Sequence, residues 1–167
     1  ETTLTDAKLT AALNKLHHVD FDYLFVAEEL TDAQQEVVSA WKDAEFEAKY
    51  PHGQVSQLTK STAAAYETSV AKFTDKEYYI NTQSFGFNGE TLSLNRSTAL
   101  MAGVIAGTQI NLSLTNMEIP GVTSVSPEYS TAAGELGAAL LNLSIPFLKR
   151  RFVSSKKANV FYVVNSA

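Results

Sequence analysis

The 167-residue chain has no cysteine, which excludes a disulfide framework, thiolate-held metals and a cysteine nucleophile. It also lacks any long hydrophobic segment. The longest apolar run, LMAGVIAG around residues 100–107, falls far short of the ~20 residues that cross a bilayer. Histidine is scarce, with 3 in all, so metal or acid–base chemistry would have to draw on His17, His18 and His52. No initiator methionine or signal-peptide pattern opens the chain, since polar Glu1-Thr2-Thr3 leads straight into a helix. The sequence therefore reads as a piece of something longer. What remains is ordinary for one globular α/β domain spanning 1–167: 45% apolar and 19% charged residues, with no repeat or low-complexity tract.

Charge is unevenly spread. Residues 1–90 carry 15 acidic and 7 basic side chains, and residues 91–167 carry 3 acidic and 6 basic ones. Five of the latter six are Lys149, Arg150, Arg151, Lys156 and Lys157. One short basic end on an acidic body is a poor footprint for nucleic acid, which calls for a broad basic face. It suits contact between unlike patches on copies of the same chain, or simply two solvated ends of a hairpin.

Periodicity predicts a first helix from Thr5 to about His17, with Leu9, Ala12, Leu13 and Leu16 on one face. Asp20 to Val26 reads as a strand buried on both faces. Thr31 and Gln34 form a capping-box pattern for a second helix whose buried side is expected at Val37, Trp41, Ala44 and Ala48. Pro51 ends that helix by Tyr50, and residues 54–60 are ambiguous. A third helix is expected over 61–73, a strand over 77–82 and a fourth helix from Ser97. A short strand Val122–Val125, a helix from about Ser130 to Leu141, and a closing hairpin of 147–153 with 158–164 follow. Alternating helices and strands imply a three-layer α/β fold, a mainly parallel sheet flanked by helices, with a C-terminal antiparallel β-hairpin.

His17 and His18 are adjacent at a helix end, where ring directions ~100° apart make poor co-ligands, and no metal or cofactor is expected. Asp43 and Glu47, with Glu45 between them, read as a solvated helix face. Asp20 or Asp22, His52-Gly53 and Ser97 stand in the order of a subtilisin triad. When Met101-Ala102-Gly103 are set on the V-A-G of the subtilase helix, however, Asn95 occupies the nucleophile position, and an amide cannot attack a carbonyl. The small residues there are expected to let a helix lie close to the sheet. Gly103 and Gly107 lie inside a helix rather than in a phosphate-cradling loop. The aromatics Phe21, Tyr23, Phe25, Tyr78 and Tyr79 read as core.

From Met101-Ala102-Gly103-Val104-Ile105-Ala106-Gly107, through the polar run Asn111–Asn116 and Ile119-Pro120-Gly121-Val122, to the hairpin between Ile145 and Val164, the chain resembles contractile bacteriophage tail sheath proteins and the sheaths of related injection particles. The likeness centres on residues 97–165. A W-K-A-P-A-N-like segment found in many members is replaced here by Thr108-Gln109-Ile110 and Asn111–Asn116, as in shorter relatives. The resemblance implies a non-enzymatic, subtilisin-like-shaped core domain of a virion component assembled in the host cytoplasm. Its implied partners are other sheath subunits and an inner tail tube, and its implied action is contraction. On that reading the five clustered bases are candidate subunit-interface residues. Two rivals are a hydrolase on a subtilisin-like scaffold, needing a working serine–histidine pair, and a flavodoxin-like binding domain, needing a pocket at the ends of the parallel strands.

Overall fold

The computed structural model describes residues 3–74, 78–108 and 113–165. Its elements, in chain order, are α1 (Asp6–Lys15), β1 (Tyr23–Phe25), α2 (Asp32–Glu47), β2 (Gly53–Gln57), α3 (Ala63–Val70), β3 (Tyr78–Asn81), β4 (Ser84–Phe87), β5 (Glu90–Thr91), α4 (Leu94–Gly107), β6 (Val122–Ser126), α5 (Leu136–Asn142), β7 (Phe147–Val153) and β8 (Ala158–Val164). β1, β2 and β3 pair in parallel in that order. β4 pairs antiparallel with β5 and with β6, and β7 with β8 over seven consecutive residue pairs. The expected α/β architecture, parallel sheet and closing hairpin are all present.

Pleating assigns the layers. Val55 and Tyr79 are partners across β2 and β3 and project into a core with Met101 and Ile105 of α4, so α4 covers one face. Ser56 pairs with Ile80 one step along, and that face meets the other helices: Ile80 packs with Tyr66 of α3 and Leu140 of α5, and Gln54 with Gln35 of α2. A third cluster joins Leu9 and Leu13 of α1 to Leu30 and Val38.

Helix starts follow local chemistry. The hydroxyls of Thr5, Thr31, Thr62 and Ser93 each accept from a main-chain N–H three residues on, and the capping box of Thr31 and Gln34 is complete. Capping by Ser93 moves the start of α4 three residues ahead of the expected Ser97.

Four expectations fail for physical reasons. β1 is the edge of its sheet and only half-buried, because the sheet is too narrow to flank it. The buried face of α2 carries Gln35, Val38, Ser39, Lys42 and Glu45, while Ala44 is exposed and Val37, Trp41 and Ala48 are half-buried. That face meets polar positions of the sheet, so reciprocal hydrogen bonds replace apolar contact. Gln35 Nε2 donates to Gln54 Oε1 at 3.1 Å, and Gln54 Nε2 to Gln35 Oε1 at 2.8 Å. Gly103 and Gly107 do not bring α4 close to the sheet, since a Cβ at either would meet nothing within 4 Å. The last helix begins at Leu136, not Ser130, because Gly134 takes a left-handed conformation (φ 86°) and the preceding segment turns back so that Ser130 O crowds Gly137.

One buried side chain joins the sheets. Gln83, directly after β3, accepts from Leu148 N at 2.7 Å and donates to Leu148 O at 3.2 Å, as a neighbouring strand would. It also donates to Pro127 O at 2.8 Å. Asn81 holds this turn by donating to Gln83 O (2.8 Å) and to Thr98 Oγ1 (3.0 Å) on α4.

Gln83→Leu leaves these buried groups unpaired and is expected to lower stability by about 2–4 kcal/mol in urea unfolding. Gly103→Ala fills only open space and is expected to raise stability by about 0.5–1 kcal/mol in the same measurement, whereas a close-packing role would make it destabilising.

Candidate functional site

Two regions gather chemistry. The first is the tip of the β7–β8 hairpin. Its root is buried at Phe147, Leu148, Val160 and Phe161, whereas Arg150, Arg151 and Phe152 are consecutive and all exposed. Arg150 and Arg151 pair with the buried Phe161 and Val160, so both strands leave the core only from Phe152 to Asn159. Phe152 is 61% exposed there.

The five bases predicted for this end divide by partner. Lys149 Nζ donates to Thr131 Oγ1 at 3.0 Å, Arg150 lies 3.7 Å from Glu128, and Lys156 bonds Glu118 at 2.7 Å. Arg151 sits over the Tyr162 ring, 4.7 Å from its centroid. Lys157 occupies the turn with a left-handed φ of 50° and has no side-chain partner among the described residues. The pairs are half-exposed and worth at most about 1 kcal/mol each, so they leave the bases available to another surface.

The second region is internal and was missed in the sequence. α1 ends at its C-cap Leu16, so His17 and His18 lie in a turn rather than on a helix, and His18 is left-handed (φ 58°). Helical ring directions no longer apply, and the two imidazoles stack 3.8 Å apart. Both meet Glu45 of α2, which is fully buried rather than solvated: His17 Nδ1 contacts its Oε1, and His18 N donates to its Oε2 at 2.7 Å. Burial alone would raise the Glu45 pKa. The His18 N–H and the nearby His17 outweigh it, and the carboxyl lies below its usual value. His52, buried, stacks on the Phe21 ring at 3.9 Å and lies 5.4 Å from the Trp41 ring, with Nε2 3.9 Å from Glu45 Oε2. The glycine after it makes room for Tyr23, whose ring would lie 2.4 Å from a Cβ at Gly53.

The triad order of the sequence does not become a triad in space. His52 Nδ1 meets the Phe21 carbonyl at 2.7 Å, where a triad would require a carboxylate, and Asp20 and Asp22 are exposed. Ser97 is fully buried, accepting from Phe85 N and donating to Ser93 O, each at 2.8 Å. Asn95 donates to Ala27 O at 2.6 Å. At the carboxyl end of β2, a cavity of about 10 Å³ lined by Ser56, Gln57, Leu58 and neighbouring helix residues has room for no more than one water. An open cleft of about 430 Å³ lies elsewhere, between the β4–β5 turn and α4, flanked by the exposed Glu90–Arg96 pair. Among the described residues no helix is long and apolar enough to cross a membrane. The polar run Asn111–Asn116 lies partly outside the described residues, as do the ends of the chain.

Comparison with known proteins agrees with the fold. A sheath tail protein from Desulfitobacterium hafniense superposes with a TM-score of 0.68 at 20% identity, over 97% of this chain and 34% of that one. One from Listeria innocua gives 0.62 at 17% identity, over 98% of this chain and 33% of that one. The chain thus spans about a third of the length of these structures. No curated protein sequence matches. The phage tail sheath protein central domain matches residues 2–151, taking in the N-terminal half where motif resemblance was weakest and ending inside β7. The chain belongs to the phage tail sheath family, as a central domain.

Proposed function

We propose that this chain is the structural core of a contractile tail sheath subunit, one of many copies forming a helical tube around an inner tail tube. The observation that carries the reading is the family match over residues 2–151. Contraction would be a rigid-body change between two packings of such subunits, releasing energy held in the extended lattice. The domain works by packing and not by turnover, consistent with a buried Ser97 whose hydroxyl is already bonded twice. Its virion location and its assembly in the host cytoplasm belong to the same reading.

Within that assembly, the hairpin tip is the contact we assign to the basic residues. Lys149, Arg150, Arg151, Lys156 and Lys157 share the hairpin with an exposed Phe152, while residues 1–90 hold most of the acidic side chains. A basic tip with an apolar anchor fits an acidic surface on a neighbouring copy.

Charge reversal at Arg151 and Lys157 tests this without breaking an internal carboxylate pair. Arg151→Glu with Lys157→Glu in the full-length protein is expected to abolish or shorten striated tubes in electron micrographs, with thermal unfolding nearly unchanged. Tubes of normal length would falsify the interface assignment. A fluorophosphonate probe is expected to leave Ser97 unlabelled by mass spectrometry, and labelling there would restore the hydrolase reading.

A further inference from the structure

The joint between α1, α2 and β2 holds a combination that packing does not require. Three ligand atoms, one each from His17, His18 and Glu45, lie within 4.8 Å of one another. Behind them stands His52, its side chain 1% exposed and its Nε2 without a hydrogen-bond partner. A carbonyl oxygen can only accept, so the 2.7 Å contact with Phe21 O places the proton of neutral His52 on Nδ1. The lone pair of Nε2 then faces Glu45 Oε2, another acceptor, 3.9 Å away. That spacing is too long for a hydrogen bond. His52 is not one of the three mutually close ligands, and it backs the Glu45 carboxylate from the interior side.

We propose that His17, His18 and Glu45 form a binding site for a divalent transition-metal ion of the zinc type, with His52 behind the Glu45 carboxylate. Imidazoles with one carboxylate and no thiolate suit Zn²⁺, Co²⁺ or Ni²⁺, whereas Ca²⁺ and Mg²⁺ require mostly oxygen ligands. The His52 ring, held by its bond to the Phe21 carbonyl and stacked on the Phe21 ring, closes the interior side of the site. The His17 side chain is 52% exposed, which gives an ion a way in from solvent. Bound there, the ion would tie the turn after α1 to α2, two segments that are separate in the sequence.

The test is calorimetric titration of tag-free, chelator-treated protein with ZnCl₂, accompanied by the visible absorption of Co²⁺ added in its place. One ion per chain is expected, with ligand-field bands of a nitrogen–oxygen site and a raised Tm. His17→Ala with His18→Ala leaves the buried Glu45 and His52 in place and is expected to weaken binding by at least about tenfold. The absence of binding by the unmodified protein would overturn the proposal, as would unchanged affinity in the His17/His18 double variant.

Discussion

The arrangement of the sheets depends on how a narrow parallel sheet is continued sideways. Three parallel strands offer little surface, and the chain extends the layer by hydrogen-bonding Gln83 to both main-chain groups of Leu148. This carboxamide does the work of a further strand over a single residue. On the far side of the hairpin, main-chain bonds complete the attachment: Ile119 N donates to Phe161 O and Val163 N to Met117 O, each at 2.9 Å. The core around α4 draws on residues from all three sheets because these links hold them side by side.

Buried polarity is the second organising feature. α2 presents glutamines, a serine, a lysine and a glutamate to the interior, where a helix of this length usually presents leucines. The penalty for burying such groups is offset where each finds a partner, as Gln35 does with Gln54 and Ser39 with the Lys72 carbonyl at 2.7 Å. These bonds are directional, so they fix how far α2 can slide or rotate on the sheet more sharply than apolar contact would.

This contrast explains what could be read from the sequence. Caps were legible because Thr31 and Gln34 act within one turn, and β7 and β8 because aromatic and β-branched residues flank a polar turn. The parallel sheet was legible from alternation of helices and strands. The inward face of α2 was not, because apolar periodicity selects Trp41 and Ala44 while the actual partners lie on β2 and after α1. Glu45 looked solvated for the same reason. His17 and His18 were judged by helical geometry that ends one residue before them, at Leu16. The glycines of α4 suggested close packing, yet both face open space. The family resemblance was visible in the later half of the chain, where motifs are dense. The earlier half carries its likeness in the order of its elements.

The hairpin also has a mechanical consequence. Its ladder runs through seven pairs without a register shift, so it forms a stiff beam clamped at its inner end and tethered near its tip by the Lys156–Glu118 pair. The clamp consists of Gln83 on one edge and the 116–119 segment on the other. The next ladder inward, β4 with β6, slips register between Gly86 and Phe87. Along the path from Phe152 inward, the first break in regular pairing is therefore that irregularity, beside the N-terminal end of α4.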